Sequence, residues 1–330
     1  ARFPIESVSE STYRQVFKIH AGLPHSVPAL TLNKVCGSGL KALHLGAQAI
    51  MLGDADVTVA GGAESMSRSP YLSPSTRWGA RMGDAALVDM MVGALSDPFD
   101  DCHMGITAEN VAAEFGVARQ DMDEFAAESQ RRARAAIESG RFKDEIVPVD
   151  IPQRRGDPLK VDADEHPRPD TTLEALARLR PAFKGDGHIT AGNASGINDG
   201  AAAAVVVSAE FAQEYGLTPL ARIRSYSSVG VEPRIMGMGP VTAIRRALEK
   251  AGLALEDMDL LEVNEAFAAQ SVAVGRELGL DWDKVNVNGG AIALGHPLGC
   301  SGARITGTLF RIGQDFARSR GLILNILIHF

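Results

Sequence analysis

The 330 residues carry 33 Lys and Arg against 41 Asp and Glu, a formal charge of −8, with 45% hydrophobic and 22% charged residues. That is the balance of a folded chain, long enough for two core-forming units at ~150 residues each. There is no Lys/Arg block for nucleic acid, no apolar run of the ~20 residues that cross a bilayer, and an odd count of cysteines (36, 102, 300) without a C-x-x-C pair.

A disulfide framework and a zinc knuckle are therefore disfavoured, and a reducing, cytoplasmic setting is expected. Only 5% of residues are aromatic while Gly reaches 34, which points to the small aliphatic core of an α/β protein. The chain begins with Ala and stops inside the apolar run 322–330, so both ends look cut.

In chain order, 29–32 predicts a short strand, Cys36-Gly-Ser-Gly39 a turn, 40–51 a helix, and 56–60 a strand ending at Gly61-Gly62. Residues 63–190 read as an insert, with helices over 107–115 and 121–139 and long Pro-bearing connections at 148–170. The apolar run 201–207 predicts a fully buried strand or helix. Beyond it come a strand near Ile223, a helix over 240–251, a strand over 259–263, a helix over 266–278, a strand at 285–287, a Gly-rich loop and a helix over 301–316. Strands alternating with helices predict mostly parallel sheets with helical cover. The two halves share a motif order: a reactive residue in a Gly-rich turn, a helix, then an apolar strand.

Ligands of open α/β sheets bind beyond the carboxyl ends of the strands, so polar residues at strand-to-helix junctions are the candidates. Cys36 lies at one, directly before a helix start whose unpaired N–H groups and dipole lower a thiol pKa and bind an oxyanion; a lone Cys is also often an inert core residue. His296 sits in a loop with five glycines between 289 and 302, a candidate base for that thiol or a satisfied structural His. Asn264 opens Asn264-Glu-Ala-Phe267, where capping the following helix would explain it as well as catalysis would.

Other patterns are weaker. Gly37-Ser-Gly39-Leu-Lys-Ala42 fits a G-x-G-x-x-A fingerprint, but Asp54 and Asp56 precede their strand instead of ending it. Ser38 lacks the first Gly of a G-x-S-x-G elbow. Glu64, Glu265, His103 and the remaining cysteines show no metal-ligand spacing, so no metal site is expected. Arg131-Arg-Ala-Arg134 reads as a solvated helix face. Residues 131–184 carry a net +2 in an otherwise acidic chain, a surface suited to an anionic substrate.

Together, Asn33-Lys-Val-Cys-Gly-Ser-Gly39, Val263-Asn-Glu-Ala-Phe267 and Asn288-Gly-Gly-Ala-Ile-Ala-Leu-Gly-His-Pro-Leu-Gly-Cys-Ser-Gly-Ala-Arg304 resemble the thiolase family, in the family's order. Gly61-Gly-Ala-Glu-Ser-Met66, His103-Met-Gly-Ile-Thr-Ala-Glu-Asn110 and Thr190-Ala-Gly-Asn-Ala-Ser-Gly196 add to the likeness, which covers roughly residues 15–320. The resemblance implies a layered αβαβα fold. One α/β half comes from 1–65 and 197–219, a loop domain that binds coenzyme A from 66–196, and the second half from 220–330.

It also implies roles. Cys36 would be the acylated nucleophile and His296 its base, while Asn264 would hold a water that joins His296 in receiving an enolate oxygen. Ser195, Leu95, His103, Met104, Phe183, Met236, Ala266 and Phe267 would line the pantetheine and acyl channel. The implied reaction condenses two acetyl-CoA to acetoacetyl-CoA and CoA, or cleaves a short 3-ketoacyl-CoA. Coenzyme A thioesters would be substrates, with no tightly bound cofactor, no metal, no nucleic acid and no membrane, in a homodimer or homotetramer.

Two departures stand out. Members of the family carry a second catalytic Cys in a Cys-x-Gly turn after the last core strand; here that strand would be 322–328 and no Cys follows. They also begin with a strand and helix that residues 1–12 do not resemble. The chain is thus expected to lack a core strand and to condense acetyl-CoA slowly. The other readings are a non-catalytic acyl-CoA-binding protein and a ketoacyl synthase-like enzyme, which would need a second His where Asn264 stands.

Overall fold

The structure, a computed structural model, describes residues 18–320 and 326–329, with side chains between 18 and 314. The longer elements are α1 (Ser38–Met51), β1 (Val57–Ser65), α2 (Met104–Glu114), α3 (Arg119–Glu138), β2 (Asp199–Val207), α4 (Gly239–Ala251), β3 (Leu260–Val263), α5 (Ala268–Leu278), α6 (Leu298–Arg320) and β4 (Ile326–His329). Each helix expected from 40 to 316 forms, with its ends moved by a few residues.

The strands differ more. β1 runs on through Gly61-Gly62 and pairs with β2 in an antiparallel ladder, from Val57 opposite Val207 to Ser65 opposite Asp199. A parallel arrangement was expected; the long insert between β1 and β2 lets the chain return in either direction, and composition does not say which. The parallel pair is β3 with β4, Leu260 opposite Ile326 to Val263 opposite His329. Residues 201–207 form a strand but are not fully buried. α1 and α6 cover one face of the β1/β2 ladder, and on the other Val59 and Val205 are 60% and 63% exposed.

Among the described residues, no ladder includes 29–32 or Ile223, and 285–287 contributes a single bridge, Val285 to Leu261. Local strand preference needs a partner's N–H and C=O groups to become a strand. The 29–32 segment lies open instead, with Leu30 70% exposed. The expectations for residues 1–12 and for the start of a strand at 322 fall outside the described residues.

The insert packs onto the second half through its helices. Val111 of α2, Met122 and Ala126 of α3, and Ala268, Ala269 and Val274 of α5 form one buried cluster, which also holds Ile189. Val111, Met122, Val274 and Ile189, shut away from water, contribute roughly 1.5–3 kcal/mol each and the alanines less, so this joint is a main source of cohesion. A second cluster joins Ile244 of α4 to Met258, Leu261, Val263 and Val285. Among the described residues, no helix is long and apolar enough to cross a membrane.

α6 meets the first half by backbone-to-backbone contact. A Cβ on Gly62 of β1 would overlap the Gly299 carbonyl oxygen, and one on Gly39 of α1 would lie 2.6 Å from Ala303 N and 2.9 Å from Gly299 O. Glycine inside a helix or strand costs about 0.5–1 kcal/mol, and here it permits an approach that any side chain would block. That contact places the start of α6 beside the start of α1.

Candidate active site

Cys36 lies in a single 3-10 turn, Val35–Gly37, directly ahead of α1. Val35, a β-branched residue, takes φ +48°, a left-handed conformation that costs on the order of 1–3 kcal/mol and persists only where its surroundings fix it. They do so with three hydrogen bonds. Val35 N donates to Asn33 Oδ1 at 2.9 Å, Lys34 N donates to Ser38 Oγ at 2.8 Å, and Ser38 Oγ donates to the Val35 carbonyl at 2.7 Å. The helix start was expected to lower the thiol pKa. Burial prevails, with Glu64's charge adding to it, and pushes the Cys36 thiol up to about 12. A thiol held neutral in this way would need a base before it could act as a nucleophile.

His296 lies between Gly295 and Pro297, just before α6, and is 4% exposed. Gly295 takes φ +96° and a Cβ there would strike the Asn198 side chain, whose Oδ1 accepts from His296 N at 3.1 Å. The ring Nδ1 is 2.7 Å from Ser301 Oγ. Burial, helped by the positive charge of Arg304, takes the imidazole down to about 3, so it is neutral. α6 packs on the Cys36 turn and starts two residues after His296, so the elements that carry the thiol and the imidazole lie against each other. Glu64 Oε2 accepts from Gly299 N at 2.9 Å and fixes that junction from β1.

Asn264 follows β3 and is 5% exposed. It does not cap α5, which begins at Ala268 with Phe267 in the cap position, so the capping explanation falls away. Its Oδ1 is buried with no hydrogen-bond partner among the described residues, as suits a side chain that holds a water. The adjoining Glu265 brackets the site. Its carboxylate accepts from Ser129 Oγ (2.6 Å) of α3, Asn286 Nδ2 (2.9 Å) and Ile292 N (3.2 Å), tying the insert to the loop that leads to His296.

The residues expected to line the pantetheine channel are connected by a series of contacts. Ser195 Oγ donates to the Ala266 carbonyl at 2.9 Å, and Phe267 meets Phe183 edge-on with ring centroids 6.2 Å apart. Phe183 stacks on His103 at 4.6 Å, and Met104 N donates to the Leu95 carbonyl at 2.7 Å. Met236 is the outlier, 48% exposed on a 3-10 segment (Pro233–Met238) that packs on α2. Among the described residues, no group of three or more His, Cys, Asp or Glu could hold a metal ion.

With this geometry in place, the family models decide the kinship. The thiolase N-terminal domain model matches residues 5–210 and the thiolase C-terminal domain model residues 217–323, beginning ahead of the motifs that carried the resemblance. The chain belongs to the thiolase family. An acetyl-CoA acetyltransferase of Pseudomonas aeruginosa is 65% identical over 292 residues, 88% of this chain and 74% of that protein. A beta-ketothiolase of Cupriavidus necator, BktB, is 57% identical over 293 residues, again 88% and 74%. The crystal structure of human mitochondrial 3-ketoacyl-CoA thiolase in complex with CoA matches this thiolase with a TM-score of 0.89 at 47% identity, covering 96% of this chain and 78% of that one. The fold is the layered α/β fold of solved thiolases.

Asn198, Ser301 and Glu64 hold the segment around His296, a role that no motif marks. Asn198 stands between Ile197 and Asp199, and Ser301 lies five residues past His296; both positions were visible, but their partners were not.

Proposed function

We propose that this thiolase is an acyltransferase that condenses two acetyl-CoA to acetoacetyl-CoA and CoA, or runs the reverse thiolysis of short 3-ketoacyl-CoA, through an acetyl-Cys36 intermediate. The observation that carries the reading is the strained Cys36 turn packed against the helix that starts next to His296. The names of the relatives support the substrate class.

In the first half-reaction His296 takes the thiol proton and Cys36 Sγ attacks the thioester carbonyl. Collapse of the tetrahedral adduct breaks the bond to the CoA sulfur, which leaves with the proton from His296. In the second, His296 takes a proton from the α-carbon of another acetyl-CoA, the enolate carbon attacks the acetyl carbonyl and breaks its bond to the Cys36 sulfur, and His296 returns the proton to that sulfur. Asn264, through the water it holds, and His296 receive the enolate oxygen. Ser195, Leu95, His103, Met104 and Phe183 of a loop domain of 66–196, with Met236, Ala266 and Phe267 of a half formed by 220–330, line the channel for pantetheine and acyl group, and 1–65 with 197–219 form the other half. CoA thioesters are substrates and no tightly bound cofactor is required. A cytoplasmic homodimer or homotetramer completes the proposal.

Intact-mass measurement after mixing with acetyl-CoA tests it. One acetyl group is expected per chain, lost after Cys36→Ala. No adduct, or one that survives that substitution, would remove the nucleophile from the scheme.

A further inference from the structure

We infer that Ser301 is a positioning residue that keeps the resting His296 protonated on Nδ1, so that the Nε2 lone pair is the one offered to the thiol. Ser301 is fully buried at the end of the first turn of α6. Its Oγ lies 3.0 Å from the Pro297 carbonyl, four residues back, and 2.7 Å from His296 Nδ1. A hydroxyl has one proton to give. Given to the Pro297 carbonyl, as a serine in a helix does when it bonds the carbonyl four residues earlier, it leaves Oγ to accept from Nδ1–H, and the two contacts form one directed chain. Given to Nδ1, it would leave two oxygens facing each other at 3.0 Å with no proton between them in a buried site, and it would put the ring proton on Nε2, where no base remains. Asn198 holds the His296 backbone from the side of β2, so backbone and ring are positioned by separate residues. A proton later received on Nε2 makes an imidazolium, which gives the enolate oxygen a charged donor while negative charge is present and returns to neutral afterwards.

The inference rests on His296 being the base, yet its test needs no turnover. Long-range proton–nitrogen NMR of the 15N-labelled full chain reads the tautomer of each His ring, and the His296 signals are identified by their loss in His296→Asn. Expected are a protonated Nδ1 and an unprotonated Nε2 in the wild type near neutral pH. In Ser301→Ala the Nε2–H form should gain population, and Cys36 acetylation should slow roughly tenfold or more, between the loss of one hydrogen bond and the loss of a base. An Nε2–H or doubly protonated ring in the wild type overturns the inference, as does an unchanged tautomer in a folded Ser301→Ala. The wild-type spectrum decides alone if that variant does not fold. Failure of Cys36 to acetylate would sink the catalytic proposal and leave the tautomer assignment standing.

Discussion

Cys36 and His296 are each neutral at rest, the thiol at about 12 and the imidazole at about 3. With the acid so weak and the base so weak, a thiolate–imidazolium pair is a negligible fraction of the resting enzyme, and charge separation waits for the thioester. The population of that pair does not change with pH while the thiol stays protonated and the imidazole neutral, a window from above about 3 to below about 12. Acetylation of Cys36 is therefore expected to be flat across about pH 5–9. In His296→Ala only free thiolate reacts, so the rate should drop by roughly 10²–10⁴ and then rise about tenfold per pH unit. Quenched-flow mass measurements check both; a tenfold rise per unit in the wild type would show that free thiolate reacts there as well, without help from His296.

At the scale of elements, the site depends on how closely α6 approaches β1 and α1. In Gly62→Ala the new methyl would overlap the Gly299 carbonyl, so strand and helix must part. A loss of about 1–3 kcal/mol is expected in urea unfolding, as for other overpacked sites. Acetylation should fall as well at temperatures where the variant remains folded, because Cys36 and His296 sit on opposite sides of that contact. Unchanged stability and rate would mean the two elements yield without consequence. The helices of this region were legible because their apolar period is set locally and their packing confirms it. The strands were less so: Gly61-Gly62 reads as a break, whereas here the missing side chains let a helix lie on the strand. The direction of the β1/β2 pair is set by a connection of more than a hundred residues with no local signature.

At the scale of the molecule, the motif residues were legible because their types and spacing name the chemistry, whereas the residues that hold them act across the chain. Asn198 reaches His296 over 98 positions and Glu64 reaches Gly299 over 235, distances at which sequence pattern carries no pairing information. Beneath the site, Glu262 of β3 is 1% exposed and neither carboxyl oxygen has a hydrogen-bond partner among the described residues. Arg304 Nη1 lies 4.0 Å away and favours the charged form, but burial outweighs it and raises the Glu262 carboxyl to about 8 from an ordinary 4.5. Below about pH 4.5 both folded and unfolded chains hold that proton. Between there and about pH 8 the unfolded chain sheds it while the folded chain keeps it, so Glu262 subtracts stability as pH rises, by at most ~1.4 kcal/mol per unit. A carboxamide in its place has no such proton to shed, so Glu262→Gln should match the wild type near pH 4.5 and become progressively the more stable of the two toward pH 8. Paired urea titrations across that window measure the difference; a gap that does not widen with pH would mean Glu262 is ionised in the folded protein, with Arg304 prevailing over burial.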